Sequence, residues 1–242
     1  MIGSVFNLVV YQPLYNALVF LIGAIPSHDV GIAVILLTIV VRIVLYPLSR
    51  RAVDSQLAVK KLAPEIEAIK KKYKGDAAEQ SKATLALYKE RGVHPFAGAL
   101  VGIIQIPILL GLYWVFARGG LPHIDPNLLY PFVHPSNGVN MEFLGFVNMG
   151  ASRNIVLALL VGISQFAYMR LSMGPRGSQS AAEAIESSFS SDMAKSFDLQ
   201  MRYVFPVTFA VIAYFVVAAA PLYWLTANAA MIAQEYFSGR RF

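Results

Sequence analysis

The chain contains no cysteine. It therefore has no disulfide framework, no thiolate metal site, no cysteine nucleophile and no lipidated N-terminal cysteine. Charge is scarce too: Asp, Glu, Lys and Arg make up 14% of the 242 residues, against about a quarter in soluble domains. The hydrophobic share is 57%, gathered into blocks that reach or approach the ~20 residues needed to cross a bilayer. An ordinary soluble enzyme is excluded. Modest glycine and proline beside 15 Phe and 12 Tyr exclude a collagen-like or disordered chain. No acidic residue falls in the middle of an apolar block, so a proton relay would lack its usual carboxylate. His28, His94, His123 and His134 lie in or beside loops without metal-ligand spacing. No Walker loop or Gly-rich nucleotide fingerprint occurs. Gly162-Ile163-Ser164-Gln165 lacks the following glycine and the in-span histidine that an intramembrane serine nucleophile requires. No metal, cofactor or enzymatic chemistry is expected.

Five apolar blocks read as transmembrane helices, because lipid leaves no other way to satisfy the backbone of an open segment. They fall at residues 30–48, 96–117, 155–171, 203–220 and 221–237, the last two split at Ala220-Pro221. Residues 49–95 carry eleven Lys and Arg, residues 170–202 four and residues 240–241 two, whereas the opposite side has only Arg118 and Arg153. By the positive-inside rule, the 49–95 segment, the 172–202 loop and the 238–242 tail are cytoplasmic, and the 118–154 loop is external. Residues 1–29 carry no Lys or Arg and are interrupted by Asn7, Gln12, Pro13 and Asn16. They make a poor secretory signal and read as an external amphipathic helix at the interface, with a sixth span as the alternative. The expected fold is an all-α membrane protein: a five-helix transmembrane bundle, an N-terminal interfacial helix and a cytoplasmic helical hairpin.

The hairpin is read from residues 49–95, the only long charged stretch. Leu57, Leu62, Ile66, Ile69 and Tyr73 mark a helical stripe over residues 56–74. Gly75-Asp76 breaks it, and a second helix follows from about Ala78 to Arg91. Composition favours a solvated face that enforces topology. The alternative is a docking arm, with Lys60, Lys61, Lys70, Lys71 and Lys72 as its candidate contacts for headgroups, a ribosome or a targeting partner. Nothing resembling an RNA-binding fold accompanies the charge, and no DNA partner is expected.

Arg42 is the most informative residue. An arginine at a helix centre costs about 2.5–3.5 kcal/mol on insertion scales, although one roughly 9 Å from the helix end can snorkel toward headgroups. Gly31, Thr38, Arg42 and Ser49 occupy a stripe about 40° wide at 100° per residue. A topology anchor needs no such stripe, whereas a water-accessible cavity does. Gln105 in the second span, Gln165 in the third, and Trp224 and Asn228 in the last add polar or amphipathic groups. A single Gln per span is commonly an inter-helix hydrogen bond, and Gly98-x-x-x-Gly102 is commonly close packing. Around a buried charge, they point to a hydrated groove.

Several runs carry a family resemblance. Thr38-Ile39-Val40-Val41-Arg42 through Leu45-Tyr46-Pro47-Leu48-Ser49 resembles the first core span of the YidC/Oxa/Alb membrane protein insertases. Tyr11-Gln12-Pro13-Leu14-Tyr15-Asn16 is similar to the family's interfacial helix. Leu87-Tyr88-Lys89, His94-Pro95-Phe96, Gln105-Ile106-Pro107-Ile108, Leu112-Tyr113, Tyr203 to Pro206 and Leu222-Tyr223-Trp224-Leu225-Thr226-Ala227-Asn228 follow in the family's order. The resemblance covers nearly the whole chain. It implies a nucleotide-independent insertase and chaperone in the bacterial cytoplasmic membrane. Its groove would be open to cytoplasm and lipid, with the positions matching Arg42, Thr38 and Trp224 along the path of a substrate helix. Implied partners are nascent membrane proteins and the bilayer, with the ribosome, the signal recognition particle receptor or the Sec translocon as further candidates. Met169, Met173, Met193 and Met201 would adapt to varied apolar substrates. Neither a large external domain nor a long basic ribosome-binding tail is expected, and the Ser- and Ala-rich 172–199 loop is expected to be mobile. Two other classes stay open: a small anion channel or carrier built on Arg42, and a passive scaffold for assembling membrane complexes.

Overall fold

The computed structural model describes residues 5–94, 97–117, 121–135, 138–173 and 199–237. Arg118, Met193, most of the 172–199 loop and the C-terminal arginines lie outside the described residues, as do the side chain of Lys60 and the surroundings of Gly98 and Gly102. In chain order, a π-helical turn (Asn7–Tyr11) leads into α1 (Gln12–Ala24), then α2 (Val30–Lys61). Two short helices follow, α3 (Ala63–Lys72) and α4 (Ala77–Glu90), before α5 (Ala97–Ala117). A long loop holds a two-strand ribbon, β1 (Glu142–Phe143) antiparallel to β2 (Val147–Asn148). The chain continues as α6 (Ile155–Met173), a second π-helical turn (Gln200–Val204), α7 (Phe205–Phe215) and α8 (Ala219–Phe237). Residues 7–24, 30–59 and 155–173 are helices long and apolar enough to cross a membrane, and residues 103–117 form a shorter apolar helix. Apart from the small ribbon, the regular structure among the described residues is helical, as in an all-α membrane protein.

Helix boundaries follow capping and proline chemistry. Asp29 starts α2: its Oδ1 accepts from Ile32 N–H at 3.1 Å, satisfying one of the donors a helix leaves unpaired. Asp76 starts α4 in the same way, accepting from Ala78 and Glu79 N–H. α2 does not stop at Leu48 but runs through Pro47 to Lys61, so the region expected to open a hairpin helix at residue 56 prolongs the first span. The break comes at Leu62, just ahead of Pro64, whose ring excludes a continuing helical turn. The junction expected at Ala220-Pro221 lies slightly earlier, where Val216 is extended. Pro221 instead sits in the first turn of α8, where a missing N–H costs nothing.

The buried apolar core is concentrated at one end of the bundle. Tyr15, Leu18 and Ile22 of α1, Val30 and Val34 of α2, Leu112 and Val115 of α5, and Val161 of α6 pack there with Val133 and Met149 of the long loop. The loop is tied to the helices by hydrogen bonds: Leu144 N–H reaches Asp29 Oδ2 at 3.1 Å, and Asp125 N–H reaches Tyr15 Oη at 2.8 Å. On the outside of the bundle, α6 and α7 meet closely at Gly162, where a Cβ would come within 3.0 Å of Ala210 Cβ. Ile39, Val40, Ile43 and Val44 of α2 are exposed, as are Val156, Leu159 and Ile163 of α6. Such apolar outward faces suit lipid.

Candidate functional site: a cavity around Arg42

Below the apolar end, the helices part around a half-open cavity of about 220 Å³. That is room for several waters. Along α2 it extends from Arg42 to Val53, roughly 16 Å at 1.5 Å per residue. Gln105 of α5, Gln165 and Tyr168 of α6, Phe209 of α7, and Trp224, Ala227, Asn228, Met231, Gln234 and Glu235 of α8 complete the lining.

The stripe on α2 thus divides into two environments. Gly31 lies against the Phe143 ring and Thr38 is fully buried, its hydroxyl donating to Val34 O at 2.6 Å. Arg42 and Ser49, further along, face the cavity. Thr38 is therefore one turn beyond the cavity lining, with its hydroxyl already engaged. Of the other positions singled out from sequence, Arg42, Gln105, Gln165, Trp224 and Asn228 are brought together on one cavity.

α8 organises the polar wall. Asn228 Nδ2 donates to Gln165 Oε1 at 3.0 Å and to Ser164 Oγ at 3.1 Å, linking α8 to α6. Gln105 Nε2 donates to Tyr223 Oη, linking α5 to α8. Ser49 Oγ lies 2.9 Å from Gln234 Oε1, linking α2 to α8. An aromatic run, Phe205 to Phe209 (centroids 4.7 Å apart) and Phe209 to Trp224 (5.1 Å), backs the α7 side. Arg42 has no carboxylate partner within salt-bridge distance among the described residues, and its Nε is buried without a hydrogen-bond acceptor. The phenols of Tyr223 and Tyr168 are its electrostatic neighbours. A guanidinium with so few protein acceptors needs water or a ligand to stay charged at this depth.

Tyr168, Phe209, Met231 and Gln234 were not identified from the sequence. Met231 had a readable signal: with Trp224, Asn228 and Glu235 it falls at intervals of 4, 3 and 4 residues, one helical face. Gln234 lies off that face, and Phe209 is one aromatic among many.

The hairpin lysines stand apart from the cavity lining. Lys70, Lys71 and Lys72 occupy the last turn of α3, where cations favour the helix C-terminus. They are exposed, as is Lys61 at the end of α2. Arg91 and Glu65 pair across the hairpin at 2.8 Å, and Gln80 Nε2 donates to Tyr73 O at 2.9 Å.

Apolar outward helix faces around a half-open cavity with polar side chains in its lining, closed at one end by apolar packing, define an α-helical integral membrane protein with an internal recess. The family model described as "60Kd inner membrane protein" matches residues 21–242. The chain belongs to that family, the YidC family. It is 31% identical to the membrane protein insertase YidC of Fusobacterium nucleatum over 94% of this chain and 96% of that protein. It is 30% identical to the membrane protein insertase YidC of Clostridium tetani over 86% of this chain and 81% of the relative. A longer relative of the same name, from Methylobacillus flagellatus, is 28% identical over 88% of this chain and 33% of its own length.

Proposed function

We propose that the protein is a membrane protein insertase whose working site is the cavity around Arg42. The observation that carries this reading is the placement of that guanidinium: on a membrane-spanning helix, in a cavity it shares with Gln105, Gln165 and Asn228, with few protein acceptors of its own. A hydrated recess that holds a guanidinium shortens the lipid barrier that a polar or acidic tail must cross. Burial of the following apolar helix in lipid then supplies the driving free energy without nucleotide hydrolysis.

In this reading α2, α5, α6, α7 and α8 are five spans in the bacterial cytoplasmic membrane. The α3–α4 hairpin and the C-terminus face the cytoplasm, as the Lys and Arg distribution favours. α1 lies at the external interface. Its partners are nascent membrane proteins and the bilayer, and the exposed hairpin lysines offer a first contact for a ribosome, a signal recognition particle receptor or a Sec translocon. The apolar packing of Tyr15, Leu18, Val34, Leu112 and Val115 at the far end argues against a continuous anion pathway.

Reconstitution tests this directly. Liposomes containing only this protein should insert a single-span substrate with an acidic N-terminal tail faster than empty liposomes, scored by protease protection of the tail, without raising anion flux. Insertion equal to that of empty liposomes removes the reading.

A further inference from the structure

Gln234 lines the cavity on α8, and its Oε1 accepts a hydrogen bond from Ser49 Oγ of α2 at 2.9 Å. The same Ser49 oxygen lies 3.0 Å from Tyr46 O in its own helix. A hydroxyl carries one proton and can donate to only one of these acceptors at a time. Ser49 can therefore release Gln234 and remain satisfied by Tyr46. At its other end, Gln234 Nε2 is buried with no hydrogen-bond partner among the described residues. A buried amide nitrogen left unpaired is costly, and among the described residues the hydrogen bond that holds this carboxamide is one Ser49 can exchange for Tyr46 O.

A carboxamide carries the same donor and acceptor as a peptide group, so the natural replacement for Ser49 is a main-chain amide, paired at two points. Ser49 lies seven residues from Arg42 on the same helix, roughly 10 Å at 1.5 Å per residue. An extended chain covers that distance in about three residues. We propose that Gln234 is a binding residue for the peptide backbone of a substrate's polar tail, taking over from Ser49 as the tail enters while Arg42 reads its charge about three residues away. This rests on the insertase reading above. It adds a division of labour: Gln234 recognises any polar segment through its main chain, and Arg42 recognises acidic ones.

The test uses the full chain in liposomes and single-span substrates with either a neutral Ser/Gly tail or an acidic tail of equal length. Gln234→Leu should slow insertion of both tails by the same factor, about two- to tenfold for loss of a neutral hydrogen-bonding contact. Ser49→Ala frees Gln234 and should insert both tails at least as fast as the unmodified protein. A third arm leaves the protein unaltered: synthetic substrates whose tail amides are replaced by esters, which lack the N–H, should insert more slowly than amide tails. With Gln234→Leu, the ester and amide tails should insert alike. Failure of the unmodified protein to exceed empty liposomes would overturn the insertase reading and this inference with it. Normal insertion by the unmodified protein leaves the first standing. In that case, equal rates for Gln234→Leu and the unmodified protein, a loss confined to acidic tails, or indifference of the unmodified protein to ester substitution would each overturn the backbone-binding role alone.

Discussion

Asn228 on α8 donates to Gln165 Oε1 on α6 at 3.0 Å, and both residues are more than nine-tenths buried beside the Arg42 cavity. The same nitrogen reaches Ser164 Oγ at 3.1 Å. One side chain therefore holds two helices together at the depth where a cavity would otherwise let them separate. Asn228→Leu keeps the branched shape but leaves Gln165 Oε1 without its donor. Inter-helix hydrogen bonds in membranes contribute about 0.6 kcal/mol on average and up to about 1.7, and the stranded acceptor adds to the loss. We expect Asn228→Leu to lower stability by about 1–2 kcal/mol in reversible unfolding in mixed micelles. A change indistinguishable from zero would mean that water already serves Gln165.

Arg42 makes a prediction about charge rather than stability. Arg42→Ala should lose most of the advantage that an acidic tail has over a neutral tail, while insertion of the neutral tail changes little. Arg42→Lys retains the charge but not the planar fork, and should keep more than half of that advantage. The comparison is a ratio of insertion rates within each variant, so differences in protein recovery cancel. A ratio unchanged by Arg42→Ala would remove the guanidinium from tail recognition.

The helical stripe through Thr38, Arg42 and Ser49 was legible because helix geometry alone places those positions on one side. The gathering of Gln105, Gln165, Trp224 and Asn228 beside it was expected because polar side chains in apolar helices must turn inward. The family was legible from several short runs in order. Other features depend on pairings far apart in the chain. Ser49 and Gln234 are 185 residues apart, and nothing local marks either as the partner of the other. The junction near Pro221 was misplaced because proline ends one helix but also fits the first turn of the next. The extension of α2 past Leu48 was hidden because loss of hydrophobicity marks where a span leaves lipid, not where its helix ends.

The outer packing of α2 is predicted to be intolerant of even one added carbon. A Cβ on Gly31 would collide with Cδ2 and Cγ of the Phe143 ring and lie 2.6 Å from Phe143 Cβ, so the whole ring and its strand must move. Overpacking of this kind costs about 1–3 kcal/mol. Gly31→Ala should lower the thermal unfolding midpoint in detergent, and Phe143→Ala in the same chain should recover part of the loss by making room. If the double variant is no more stable than Gly31→Ala, the strain lies elsewhere in the ribbon.

Asn16 is predicted to be the residue that keeps the long loop closed over the apolar end. The residue is 2% exposed and its side-chain hydrogen bonds are directed at backbone. Nδ2 donates to Gln12 O and Leu128 O, both at 2.8 Å, while Oδ1 accepts from Tyr130 N–H at 2.6 Å. Asn16→Ala strands Tyr130 N–H and leaves Leu128 O with only the longer 3.3 Å contact from Gln12 Nε2. A backbone group deprived of its partner costs up to about 1–3 kcal/mol when it is kept from water, and the cheapest relief for these half-buried groups is for the 121–135 segment to lift into water rather than for the bundle to unfold. Amide hydrogen exchange at Leu128, Leu129, Tyr130, Phe132 and Val133 should therefore accelerate at least about tenfold, with exchange in α2 and α6 unchanged. Equal acceleration throughout the bundle would identify Asn16 as a support of the whole fold; no acceleration would show that Tyr15 and Asp125 hold the loop without it.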